Sequence, residues 1–391
     1  MRIRLYDVTR ITRTGLVPHS AIDAEDGAIT AVYDTLPAEE PGVRSVDAKG
    51  AYAAPGFIDI HLHGGGGVEF MDATPEWIRA GCAAHARHGT TTLLPTTLAA
   101  SPELTLRMIR AVRQAQAATT ECTIAGVHLE GPFLSPAQSG AQSPDALSLP
   151  TPGLWDRLLD EWPGGVRIMG AAPELPGAMA LGEALRARGV VASIAHSDAD
   201  YETCRRALAC GFTDITHIYS GCSMVHRKNG YRFGGVVEAG LLEDAFTVQV
   251  IADGKHLPPE LLRLIVKCKG ADRISLITDA LFAAGSDLPD GSVLRQANGM
   301  ETVLEDGVMK LPDRQAFAGS VATMDRLVRN IVHLAGVPLW DAVAMATATP
   351  ARVIGLADRK GSLAPGFDAD IVLMDKQLNV KAVMARGQFV E

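Results

Sequence analysis

The segment Pro55-Gly-Phe-Ile-Asp-Ile-His61-Leu-His63 is a short apolar run that ends in two imidazoles and then four glycines, Gly64 to Gly67. Read as a β-strand, its alternation sends His61 and His63 to one face and Leu62 to the other, so both rings can converge on one cation. A His-X-His pair alone is weak evidence, and its weight comes from what recurs downstream. Glu130, His196, His217 and Asp279 each close a further apolar or β-branched run. Singly, each has a plainer reading: a core histidine for His196, as for the neighbouring His128, a helix cap for Glu130, a turn residue for Asp279. Together, imidazoles and carboxylates at five strand ends form the donor set of a divalent metal that activates water. Zinc suits these donors best, and Fe2+, Mn2+ and Co2+ are compatible.

Positioning such residues requires a scaffold whose strand ends meet. Between Pro55 and about Pro350 the sequence alternates strand-like runs with amphipathic helical stretches, the pattern of repeated strand-helix units on a parallel sheet. The runs lie near Phe57–His61, Thr91–Pro95, Ile124–Glu130, Val166–Ala171, Val191–His196, Thr213–His217, Phe246–Ile251 and Arg273–Asp279. Helix starts are marked by Thr74 before Pro75, by Ser101 before Pro102 and by Pro258-Pro259, with Gly89 and Gly270 as stops. These units predict a (β/α)8 TIM-like barrel over 55–351, with its chemistry at the carboxyl ends of the strands. The flanks, 1–54 and 352–391, read as short strands and turns and are expected to pair into one small β-sandwich domain. The turn-rich stretch from Ala280 to Phe317 is too long for a plain connection and predicts a small β insert near the barrel mouth.

Composition excludes several classes. The 391-residue chain is 47% hydrophobic and 21% charged, as expected for a globular protein with a large interior. A formal net charge of −9 argues against a nucleic-acid surface. No apolar run approaches the roughly 20 residues of a membrane span. The cysteines form no Cys-X-X-Cys pair and the amino terminus has no apolar secretion core, so reduced thiols and a cytoplasmic location are expected.

Pro55–His63, His128-Leu-Glu130-Gly-Pro-Phe133, Ala195-His196-Ser197, Thr216-His217, Ile251-Ala-Asp-Gly-Lys-His256, Ile277-Thr-Asp279-Ala, Phe317-Ala-Gly-Ser320 and Lys360–Asp375 together resemble the N-acetylglucosamine-6-phosphate deacetylases of the amidohydrolase superfamily. The resemblance covers nearly the whole chain. Its specific part is the glutamate after the third strand, where most of the superfamily uses a carboxylated lysine after the fourth. It implies that Glu130, His196 and His217 hold one divalent metal and that Asp279 is the catalytic carboxylate. Because His61 and His63 are both kept, it leaves room for a second ion between them and Asp279. It implies deacetylation of N-acetylglucosamine 6-phosphate. The alternative is an amidohydrolase for another N-acylated small molecule, such as the galactosamine epimer or an N-acyl amino acid. A non-catalytic scaffold has no need of Asp279 or of the full donor set.

The resemblance also marks a pocket: Ala141 and Gln142, Ser220 and Gly221, His256, and Phe317, Ala318 and Gly319. Two departures sit in it. Gln142 stands where the family has a histidine thought to help bind the acyl carbonyl, and Ser220-Gly221 where it has Asn-Ala. The basic loop Val225–Gly235 contains Arg227 and Arg232. The family places an arginine near here on the sugar phosphate, in some members from a second subunit, so a homodimer is expected, with Arg227 favoured over Arg232. His85 and His88 read only as helix-end imidazoles.

Overall fold

The computed structural model describes residues 2–297 and 299–391. Parallel strands Phe57–Leu62, Thr90–Thr97, Val127–Phe133, Val166–Ala171, Val191–Ile194, Phe212–Ile215, Thr247–Val250 and Ile274–Leu276 pair in chain order, with the short Thr123–Ile124 added beside the second. The ring is closed by a parallel bridge between Leu62 and Ala280, where Asp279 N donates to His61 O at 2.9 Å and His63 N to Ala280 O at 2.8 Å. The result is the expected (β/α)8 barrel.

Its interior is divided by depth. Ile58, Ile60, Leu94, Ile168, Ile251 and Ile277 fill the lower half, closed from below by Ala351 and Ile354. Bulky branched side chains fit there because the barrel is a packed core and not a pore. His63, His196, His217 and Asp279 lie above, beyond the carboxyl ends of their strands. Outside, the strands pack on helices that begin as their caps require: Thr74 accepts from Trp77 N ahead of Pro75–Ala86, and Ser101 from Leu104 N ahead of Pro102–Ala118.

Both chain ends enter one eight-stranded sheet. The long strand Ile3–Thr12 pairs antiparallel with Gly15–Glu25. Along its other edge it pairs parallel first with Arg44–Asp47 and then with Tyr52–Pro55. Tyr52–Pro55 in turn pairs with the carboxyl-terminal strand Ile371–Met374, which joins the two flanks. Lys360, almost wholly buried, ties this region to the barrel by donating to Asp370 at 2.6 Å and to Thr123 Oγ1 at 3.0 Å. The insert after Asp279 is a four-stranded antiparallel sheet whose last strand, Phe317–Ser320, returns to the barrel mouth.

Candidate active site

Three of the strands end two or three residues earlier than their patterns suggested. The fifth stops at Ile194, the sixth at Ile215 and the eighth at Leu276. His196, His217 and Asp279 follow with φ of 43°, 24° and 48°, in the left-handed region that non-glycine residues seldom adopt. Such positions cost on the order of 1–3 kcal/mol each and persist where surrounding structure imposes them. Here the turn brings all three side chains into the barrel mouth beside His61, His63 and Glu130.

Around Glu130 Oε1 lie the Nε2 atoms of His217 at 2.8 Å, His196 at 3.2 Å and His61 at 3.5 Å. His63 Nε2 stands 3.2 Å from His61 Nε2, 3.1 Å from Asp279 Oδ1 and 3.4 Å from Glu130 Oε2. Two triads, His61/His63/Asp279 and His61/Glu130/His217, each place one donor atom per residue within 4.8 Å of the others. The outer ring nitrogens explain the orientation. Each Nδ1–H donates to an oxygen: His61 to Gln249 Oε1 (3.0 Å), His63 to Thr96 O (3.3 Å), His196 to Gln138 O (2.8 Å) and His217 to Ser220 O (3.1 Å). That fixes the tautomer, so four Nε2 lone pairs face two carboxylates in a buried space. Neutral lone pairs and carboxylates at these distances repel one another unless a cation lies among them, and the residues therefore fit a divalent metal.

The electrostatics agree. Burial would push Glu130 up, but His61, His196 and His217 hold it well below the usual carboxylate range. Asp279 is likewise lowered: burial opposes its charge, and His63, His61 and His217 outweigh it. Without an ion, burial disfavours a charged His61, yet Glu130 and Asp279 raise it to about 9, so in the metal-free cluster a proton on His61 takes the place a cation would fill. His217, lowered chiefly by burial, stays a neutral donor.

A pocket of about 200 Å³ opens above the cluster, lined among others by His63, Glu130, His196, His217 and Asp279. Ala141, Gln142, Ser220, Gly221, His256, Phe317, Ala318 and Gly319 also line it, so most of the expected substrate residues gather here. His256 is oriented by its Nδ1–H on Asp253 Oδ2 at 2.8 Å, and its ring centroid is 5.0 Å from that of Phe317. Gly221, with φ 55°, has no room for a side chain, since a Cβ would come within 2.7 Å of His196 Nδ1. Arg227 and Arg232 are not brought to this pocket within the chain. They sit opposite each other on the exposed hairpin His226–Lys228/Tyr231–Phe233. Gln142 is also differently occupied than expected. Its Oε1 accepts from Ala99 N and its Nε2 donates to Glu130 Oε2, both at 2.7 Å.

Several contributors escaped the sequence reading. Asp59, fully buried, accepts from His61 N (3.2 Å), Thr278 N (3.3 Å) and Thr278 Oγ1 (2.5 Å), clamping the first strand end to the eighth. A lone aspartate in Phe57-Ile-Asp-Ile was the available signal. Gln249 passes the His61 contact on to Asp214 Oδ2 at 2.7 Å. His85 does more than sit at a helix end. Burial lowers it to about 4, so it is neutral and donates from Nε2 to Gly64 O at 2.8 Å. The backbone passes so close that a Cβ on Gly65 would lie 2.5 Å from His85 Nε2. His128, beneath the site, donates to Ile60 O at 2.9 Å with its ring centroid 4.6 Å from that of His61.

A family model described as the amidohydrolase family matches residues 52–390. The chain belongs to the amidohydrolase family. Among amidohydrolases it is 33% identical over 381 residues to an N-acetylgalactosamine-6-phosphate deacetylase of Escherichia coli O157:H7, covering 97% of this chain and 96% of that one. It is 31% identical over 391 residues to an N-acetylglucosamine-6-phosphate deacetylase of Lysinibacillus sphaericus, covering 98% and 96%. The crystal structure of N-acetyl-D-glucosamine-6-phosphate deacetylase from Mycobacterium smegmatis superposes with a TM-score of 0.90 at 36% identity, over 100% of both chains. Among the described residues no helix of this amidohydrolase is long and apolar enough to cross a membrane.

Proposed function

We propose that this amidohydrolase removes the acetyl group of N-acetylglucosamine 6-phosphate, giving acetate and glucosamine 6-phosphate. The observation that carries the reading is the ionised Asp279 beside a ring of inward-facing Nε2 atoms at the floor of a sugar-sized pocket. Glu130, His196 and His217 would hold one divalent ion. His61, His63 and Asp279 offer a place for a second, with Glu130 between the two. Such an ion acidifies water toward neutral pH and polarises an amide carbonyl. Asp279 accepts the proton of the attacking water and delivers it to the amide nitrogen, because an amine leaves a tetrahedral carbon poorly unless protonated. His256, fixed by Asp253, presents Nε2 to the sugar. Phe317, Ala318 and Gly319 form the wall on the insert side.

Recognition of the phosphate is assigned to the hairpin. Arg227 and Arg232 are cross-strand partners, and like charges directly opposite destabilise a strand pair unless an anion lies between or near them. The hairpin stands outside its own chain's pocket, and an arginine reaching in from the second subunit of a homodimer would reconcile that position with a role in phosphate binding. The galactosamine epimer is a second reading, favoured by the similarity to the Escherichia coli enzyme. Both sugars share the amide and the phosphate and differ at one hydroxyl, so the two readings part only at the pocket residue that meets that hydroxyl.

The test is acetate release across phosphorylated and unphosphorylated N-acetylglucosamine and N-acetylgalactosamine. The phosphorylated glucosamine derivative should have the highest kcat/KM. Loss of the phosphate should cost at least about tenfold, since a charge-assisted contact is worth about 1.5–3 kcal/mol. Arg227→Ala should erase most of that difference. Collapse in Arg232→Ala alone would move the role to Arg232, and a wild-type ratio near one would remove the phosphate from the proposal.

A further inference from the structure

One loop governs two of the candidate ligands from behind. After the third strand, Ser135 N donates to His196 O at 2.9 Å, and Gln138 O accepts from His196 Nδ1 at 2.8 Å. Four residues on, Gln142 turns its side chain inward and is only 4% exposed. The identity of its two amide atoms is set by its partners. Ala99 N–H can only donate, so the atom facing it is the oxygen, and the carboxylate Glu130 can only accept, so the atom facing it is the nitrogen. Gln142 thus spans the ends of the second and third strands.

The consequence falls on Glu130. With Oε2 held at 2.7 Å by the amide, its Oε1 is the atom that faces His61, His196 and His217. A glutamate left to itself would distribute among rotamers, and ordering it would oppose metal binding. An amide donor removes that freedom without adding charge, so Glu130 keeps its full negative charge as a ligand, and an amide does not titrate. We propose that Gln142 is a positioning residue for Glu130, raising the metal affinity of the site, in place of the acyl-carbonyl contact expected at this position. The inference rests on the reading of Glu130 as a metal ligand, and it concerns how that ligand is held.

Zinc affinity of metal-stripped protein, measured by competition with a chromophoric chelator, tests it without recourse to turnover. Gln142→Met, of similar volume and without hydrogen-bonding groups, should bind zinc about 10- to 100-fold more weakly, the usual cost of losing such an outer partner. Glu130→Gln should bind more weakly still. The double variant should be no weaker than Glu130→Gln alone, because Gln142 acts through Glu130. Wild-type zinc affinity in Gln142→Met, with KM for the acetylated sugar raised, would overturn the inference and return the residue to substrate binding. Wild-type affinity in Glu130→Gln would instead overturn the ligand reading. Should Gln142→Met fail to fold, Gln142→Asn is one methylene too short to span both partners. It carries the same expectation, and wild-type affinity there overturns the inference equally.

Discussion

Asp279→Asn is expected to lower turnover by about 10²- to 10⁴-fold, the range contributed by a positioned general acid-base group, while metal remains at Glu130, His196 and His217. Asparagine preserves the shape of the side chain and can still meet His63, 3.1 Å away in the wild type. It cannot accept a proton from water and pass it to a departing nitrogen. The measurement is kcat on samples whose metal content has been determined. Near-normal kcat at full occupancy would remove Asp279 from the proton path. Loss of metal in proportion to activity would make Asp279 a ligand and nothing more.

Replacing Glu130 should act differently. Its Oε1 is the carboxylate oxygen shared by His61, His196 and His217, while Asp279 Oδ1 stands 3.6 Å from His61 and 3.1 Å from His63. Glu130→Gln takes away a negative charge and puts a neutral amide against three lone pairs. Metal and activity should be lost together, with kcat/KM down more than about 10²-fold, because several kcal/mol of charge stabilisation leave with the ion. Elemental analysis alongside acetate release distinguishes this from Asp279→Asn. A Glu130→Gln protein that keeps both its metal and its rate would refute the ligand assignment.

The chemistry was legible in the sequence because the barrel concentrates it. His61 and Glu130 lie within their strands and His63, His196, His217 and Asp279 just beyond theirs, and metal-ligand types there stand out against runs of Val, Ile and Leu. Strand lengths were less legible. His196, His217 and Asp279 continue their apolar runs in sequence, and only the backbone reveals that they turn out of the strand with positive φ. The supporting residues were harder still. Asp59 and Thr278 are 219 positions apart, and His61 and Gln249 are 188 apart. Such contacts leave no periodic trace. The partners of His85 and Gln142 were illegible for the same reason, since they are Gly64 O, Ala99 N and Glu130, which no local pattern names. The arginines mark the limit on the other side: a hairpin that leaves its own pocket carries no signal of where it goes.

The central claim is that this cluster performs metal-dependent deacetylation, and the most direct measurement follows acetate release from N-acetylglucosamine 6-phosphate as zinc is returned to chelator-stripped protein, with bound metal quantified in each sample. The account predicts negligible release from the stripped protein and a rate that rises with bound zinc until the site is full. Undiminished release from protein shown to hold no metal would contradict it.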